Sequence, residues 1–387
     1  MKAIALISMA AIGMICSAAT IKVENPLDFE RAGELAEVPL KNIKSQVKGD
    51  FVILDKENKE IPYQITYDDL VVFPVTVEAK SSVTYTLKAG KPAPVKPVVH
   101  GRLFPEHKDN FSWENNRACF TAYGPALQDR GERGFGYDMW TKSVTDSLVL
   151  ELRYKASVDP DKKKRQSLHK DYGNGGDPYI VANTLGGGTA ALLDSNGEII
   201  FPWCWKEQEV LQDGPLRFTV RLTYRPVTIE GEEGVVESRL ITCDANSCLN
   251  RTEVSYKGLT KPHRVANGIV VHQQNPYAYS FDTAKQYIAY TDSTDNTKNG
   301  NGVIYIGAVV PEPVETICYK PVSEPARDAL GHILTVSEYT PGKDYVYYWG
   351  SIWEKNPYAP ANPAGWDLYL SQYSDCLKHP LKVTVKK

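Results

Sequence analysis

The sequence predicts a mainly β protein, with a small N-terminal β-sandwich followed by a large antiparallel double sheet, a β-supersandwich. Three observations carry this. Short β-branched and aromatic runs recur along the 387 residues, divided by Asn, Asp, Gly and Lys turns. Runs such as R-F-T-V-R-L-T-Y and V-E-S-R-L-I-T alternate polar with apolar residues, as strands with one wet face do. Neither a G-x-G-x-x-G turn nor a β-α alternation is present, which speaks against a Rossmann domain or a TIM barrel.

Residues 1–19 read as an export signal. Lys2 precedes an apolar run from Ala3 to Cys16, then the small residues Ser17, Ala18 and Ala19, with cleavage expected after Ala18 or Ala19. Cys16 follows Ile15 rather than a small residue, which disfavours a lipoprotein anchor. No other segment approaches the ~20 apolar residues of a membrane span. The expected location is therefore periplasmic or secreted.

Residues 20–92 are expected to form the small sandwich, with strands at Thr20–Val23, Phe51–Leu54, Leu70–Val75 and Ser82–Leu87. Its expected role is structural or positioning. Lys91 to Val99 holds three prolines in nine residues and reads as a stiff linker, so the boundary is drawn at residues 93–99. From residue 100 to 387 the pattern is strand: Ser147–Tyr154, Leu216–Tyr224, Val235–Cys243, Leu249–Tyr256 and Val303–Val310. Helix is expected only at Pro325–Ala329 and Gly365–Leu377.

A net charge of −3 supplies no basic footprint for nucleic acid and no polybasic membrane patch. Twenty-three tyrosines and seven tryptophans suit sheet packing, and also suit stacking on sugars. Removing the signal leaves six cysteines, and Cys243 and Cys248 in C-D-A-N-S-C are spaced to close a disulfide across a turn. No C-x-x-C pattern supports a zinc site, and no metal or other cofactor is expected.

The stretch with most chemistry runs from Ser167 to Gly188, where His169, Lys170, Asp171, Tyr172, Asp177 and Tyr179 stand among six glycines. An imidazole, an ammonium and two carboxylates within nine residues offer an acid, a base and a charge neutraliser. The alternative is a solvated glycine-rich loop. Earlier, F-S-W-E-N-N-R offers Trp113 as a sugar-stacking face, Glu114 as a carboxylate and Arg117 as a bidentate clamp. The plain structural reading pairs Glu114 with Arg117 and buries Trp113. In G-F-G-Y-D-M-W-T-K, Asp138, Trp140 and Lys142 alternate and share one face of an extended strand. His263 and His272 read as hydrogen-bonded structure rather than catalysts. Asp292 to Gly302 lacks the acid pattern of a calcium loop and reads as a hairpin tip. Tyr345 to Trp353 lines a cleft or completes a sheet. No G-x-S-x-G elbow supports serine hydrolase chemistry.

Taken in order, W-E-N-N-R…Y-G-P-A-L, Y-D-M-W-T-K and H-K-D-Y-G-N-G-G-D-P-Y…L-G-G-G resemble the exported bacterial family known as domain of unknown function 4861. The resemblance covers nearly all of the chain after the signal. It implies a supersandwich like that of galactose mutarotases and a setting of glycan use, often pectin-type. This chain departs at Asn116, where the family commonly has an aspartate.

The leading expectation is an exported enzyme on an acidic, uronate-containing glycan, acting as lyase or hydrolase. His169, Lys170, Asp171, Tyr172 and Asp177 are the catalytic candidates. Trp113, Glu114, Arg117, Asp138, Trp140, Lys142 and Tyr179 are the substrate-binding ones. A lyase would neutralise the uronate with Arg117 or Lys142, take the proton with His169 or Lys170 and supply one from Tyr172 or Tyr179. A hydrolase would use two carboxylates among Asp138, Asp171 and Asp177. The alternatives are a sugar mutarotase or epimerase and a non-catalytic glycan-binding protein.

Overall fold

A computed structural model describes residues 19–293 and 297–387. Of the expected signal at residues 1–19, all but Ala19 lies outside the described residues, as do residues 294–296 of the expected hairpin tip Asp292 to Gly302. The chain is mainly β, and the ladders joining its strands are antiparallel.

Near the N-terminus, Arg31–Pro39, Leu70–Val77 and Gln64–Ile65 form a three-stranded sheet. It faces a five-stranded one ordered Lys382–Lys386, Ala19–Glu24, Ser82–Ala89, Phe51–Leu54, Glu60–Ile61. Alternation explains the packing: Ile21, Val23, Phe51, Ile53, Phe73 and Val75 point inward and are buried together. The outermost strand comes from the far end of the chain, where Val383 and Val385 of K-V-T-V-K pack on the same cluster. A division that assigns everything after residue 99 to one unit therefore misses this strand. Its register opposite Ala19–Glu24 is a tertiary pairing that a five-residue run does not announce.

The rest of the chain builds a nine-stranded, a five-stranded and a four-stranded sheet. Phe218, Val220, Leu222 and Tyr224 line one face of Arg217–Tyr224 and enter the main core with Trp113, Tyr137, Trp349 and Trp353. Tyr345–Trp353 thus completes the nine-stranded sheet from its middle. Two expectations are corrected. Leu150–Ser157 is a helix, not part of a strand from Ser147, because Leu150, Arg153 and Tyr154 bury one helical stripe. Pro325–Ala329 forms a turn entering the strand Ala329–Tyr339, whereas the C-terminal helix is present as Pro363–Lys378.

All six described cysteines are free thiols, Cys243 and Cys248 included. Cys243 points into the main core and Cys248 into the cluster beneath the C-terminal helix, so their side chains diverge. No helix among the described residues is long and apolar enough to cross a membrane.

Candidate functional site

The four-stranded sheet is ordered Asp138–Trp140, Cys119–Ala122, Asn110–Glu114, His100–Phe104. One face, with Phe111, Trp113, Phe120 and Met139, belongs to the main core. The other carries Ser112, Glu114, Cys119, Thr121, Asp138, Trp140 and Lys142, as period-2 alternation requires. The helix Leu150–Ser157 covers it: Tyr154 Oη lies 2.8 Å from Ser112 Oγ, and its ring packs on Trp140.

Two buried carboxylates on this face differ. Glu114 accepts the backbone N–H groups of Val149 (2.8 Å) and Leu150 (2.9 Å) at the helix N-terminus, and the Lys142 ammonium at 2.5 Å. Asp138 Oδ2 accepts from Tyr123 Oη at 2.9 Å and Trp140 Nε1 at 3.2 Å, whereas its Oδ1 has no hydrogen-bond partner among the described residues. Burial first, and the nearby charge of Asp177 second, hold the Asp138 carboxyl well above the usual range. Burial and the charges of Asp138 and Asp177 likewise push the Tyr123 phenol up.

Asp177 arrives on the glycine-rich stretch, which follows an irregular path to the strand Gly187–Leu193. Arg153 organises its start, donating through Nη2 to the carbonyls of Ser167, Leu168 and Lys170. Thr141 anchors its middle by exchanging hydrogen bonds with Gly176. Gly175 passes with φ +96, and a Cβ there would stand 2.0 Å from the Thr141 carbonyl oxygen. Gly188, φ +118, lies against the Trp349 side chain, so this part of the glycine triplet meets the core.

Beyond Asp138, the Tyr179 hydroxyl is buried with no hydrogen-bond partner among the described residues. Burial raises its phenol well above the ordinary value, and the charges of Asp292, Asp138 and Asp328 add to this. Its ring stands edge-on to His272 at 5.6 Å. His272 Nδ1 lies 2.5 Å from Asp292 Oδ2 and Nε2 lies 2.9 Å from the Ile180 carbonyl oxygen. Burial lowers its pKa, but the hydrogen bond to Asp292 and its charge outweigh this and raise it, leaving an imidazolium that donates from both nitrogens. His332 does the reverse: burial pushes it down to about 3, and Nε2 accepts from the Leu185 N–H. Asp328 Oδ2 binds Gln274, while its Oδ1 is buried with no such partner among the described residues.

The expected residues thus separate. Asp138, Trp140, Asp177 and Tyr179 share the polar cluster. Trp113 does not offer a stacking face, since it is enclosed between Tyr137 and Trp349 and donates to Asn250. Glu114 and Lys142 consume one another. Arg117 does not pair with Glu114; it donates to the Asn246 carbonyl oxygen and stacks on Tyr358. His169, with a side chain 60% exposed, rests Nδ1 on the Asp177 carbonyl oxygen at 2.6 Å and stands 3.9 Å from its carboxylate. Lys170 and Tyr172 are exposed beside one another on the loop. Asp171 closes the turn by accepting the N–H groups of Gly173 and Gly175, each at 2.8 Å. Those hydrogen bonds give Asp171 a loop-closing job. Sequence reasoning missed Tyr123, the Asp292 partner of His272, His332 and Asp328. Tyr123 alone had a readable signal, lying two residues beyond Thr121, the register partner of Asp138.

A family described as domain of unknown function DUF4861 matches residues 23–383. An uncharacterized protein P7 from Formosa agariphila is 26% identical over 95% of this chain and 93% of its own length. Among solved structures, a protein in glycosyl hydrolase family 38 from Enterococcus faecalis has a TM-score of 0.46 at 9% identity, covering 97% of this chain and 48% of that one. An α-mannosidase from Enterococcus faecalis V583 has a TM-score of 0.42 at 10% identity, covering 96% and 46%. The chain spans less than half the length of either. The match over residues 23–383 takes in both the glycine-rich stretch and the Asp138 strand, and the chain belongs to the DUF4861 family.

Proposed function

We propose that this protein is a carbohydrate-active enzyme that hydrolyses a glycosidic bond, with Asp138 as general acid and Asp177 as its carboxylate partner. The observation that carries this is a buried carboxyl, with one oxygen lacking a hydrogen-bond partner among the described residues, beside a second carboxylate whose charge raises its pKa. Glycoside hydrolysis needs two carboxyl groups, one to give a proton and one to activate water or attack. Asp138 would give its proton to the glycosidic oxygen as the C1–O bond breaks. Asp177 would take a proton from the water that attacks C1, or attack C1 itself. The free valences of Asp138 Oδ1 and the Tyr179 hydroxyl suit a substrate dense in hydroxyl groups.

The uronate-lyase route has less support. Lys142 is bound to Glu114, Arg117 is engaged with Asn246 and Tyr358, and the cluster is rich in carboxylates that repel another. Export of the chain, expected from its first residues, suits an extracellular glycan. The test is incubation with neutral and uronate-containing oligosaccharides. New reducing ends without an unsaturated product are expected, and proton NMR of the first-released anomer reports whether Asp177 delivers water or attacks. An unsaturated uronate would move the assignment to a lyase, and no cleavage of any glycan would leave a binding protein.

A further inference from the structure

A cavity of about 930 Å³ opens between the N-terminal sandwich, the outward face of the nine-stranded sheet and the helix Pro363–Lys378. None of Asp138, Asp177, Tyr179 or Tyr123 lines it. Its volume sits near the top of the range for small-ligand sites, about 300–1,000 Å³.

The walls are tied together. Gln64 of the sandwich accepts the N–H groups of Leu216 and Arg217, each at 2.8 Å, and donates to the Arg217 carbonyl oxygen at 3.0 Å. Arg217 grips Asp244 on its own sheet and Glu37 on the sandwich strand Arg31–Pro39. Arg31 donates to the carbonyl oxygen of His379, just past the helix. On the third side Tyr348 of the sheet meets Tyr373 of the helix edge-on at 5.4 Å. The hollow is therefore preformed.

Its lining decides the ligand class. Six carboxylates face three guanidiniums. Every one of these arginines is already paired: Arg31 with Glu34, Arg217 with Asp244 and Glu37, Arg251 with Glu253. A polyanion would meet an acidic excess. The floor consists of interior strands, hydrogen-bonded on both sides, whereas the wall formed by Arg31–Pro39 is the edge strand of its sheet, with the Gly33 carbonyl oxygen taken by the Asn246 amide. The hollow combines polar and apolar surface in near-equal measure with flat amide and ion-pair groups and tyrosine rings. Tyr67, 47% exposed on the turn after Gln64–Ile65, stands within reach of the Arg251 and Glu253 charges at its rim. Amphipathic rings beside planar hydrogen-bonding groups suit the two faces of a pyranose.

We propose that this cavity binds a neutral oligosaccharide of a few units, as a second carbohydrate site apart from the Asp138 cluster. The test is titration calorimetry on the full chain carrying Asp138→Asn, with cellotetraose, mannotetraose, xylotetraose and tetragalacturonate as probes. At least one neutral tetrasaccharide is expected to bind saturably, with tetragalacturonate about tenfold weaker or more. Adding Tyr67→Ala, or Gln372→Ala on the side of the lining formed by the helix Pro363–Lys378, is expected to weaken the neutral ligand by about tenfold. Binding of no neutral probe, equal binding of the anionic one, or indifference to both substitutions overturns the proposal. Tyr67→Ala in the otherwise unaltered chain is expected to leave cleavage of a disaccharide-sized substrate intact. Tetrasaccharide binding that is sensitive to Tyr67 in a protein that cleaves nothing removes the catalytic reading and keeps this one.

Discussion

Glu114 and Asp138 stand on the same face of the same sheet, and each residue is 1% exposed. Glu114 has its oxygens filled by two backbone N–H groups of a helix N-terminus and by the Lys142 ammonium. Asp138 has one oxygen filled by a phenol and an indole and the other left without a hydrogen-bond partner among the described residues. Burial does not distinguish them; satisfaction of hydrogen-bonding capacity does. A carboxylate compensated on every side holds the fold together, whereas one half-compensated beside a second carboxylate has its pKa raised.

That contrast can be broken by exchange of single atoms. The largest expected effect is on turnover: Asp138→Asn should cut kcat by about 10²–10⁴-fold while the protein stays folded. The same variant carries a pH signature. Folding raises the Asp138 pKa above its ordinary 3.8, so its contribution to stability is whole below that value and is lost as pH climbs through the folded value. Thermal melts from about pH 4 to 8 should show Asp138→Asn gaining on the parent as pH rises. A variant that instead loses ground on the parent as pH rises would contradict a raised Asp138 pKa.

Glu114→Gln should do the opposite, costing about 3–5 kcal/mol in denaturant unfolding because it strands a buried ammonium. If it were instead neutral for stability and lethal for turnover, the two carboxylates would have to trade roles. A smaller effect is expected at His272. Its pKa is raised, so its stabilisation is complete below the ordinary 6.5 and is lost as pH rises through the folded value. His272→Gln should flatten the stability profile above about pH 6.5, measured by denaturant midpoints. The smallest change is Asp171→Ala, expected to loosen the glycine-rich loop by about 1 kcal/mol, read as faster amide exchange at Gly173 and Gly175.

Much of the fold is legible in the order of residues alone. Strands such as Arg217–Tyr224 and Leu249–Lys257 carry their burial pattern in plain alternation. The exceptions are instructive. V-L-E-L-R-Y alternates as well as a strand does, yet it forms a helix because Glu114, far back in the chain, caps the N–H groups of Val149 and Leu150. Within the site, the shared face of Asp138, Trp140 and Lys142 is readable from spacing. Which of them is neutralised is not, since that depends on Cys119 standing opposite both Glu114 and Trp140. The His272–Asp292 pair joins strands whose partnership no local pattern states.

What the amino-acid order determined by itself is the period-2 patterning, and with it a mainly β chain, its strand faces and the loop rich in glycine and charge. These are local properties, settled by steric limits on a few successive residues. Only the tertiary structure decided which buried charges meet a partner, because compensation depends on atoms brought within about 3 Å from distant parts of the chain. It is that assignment of partners, and no motif, that turns Glu114 into a strut and leaves one oxygen of Asp138 without a hydrogen-bond partner among the described residues.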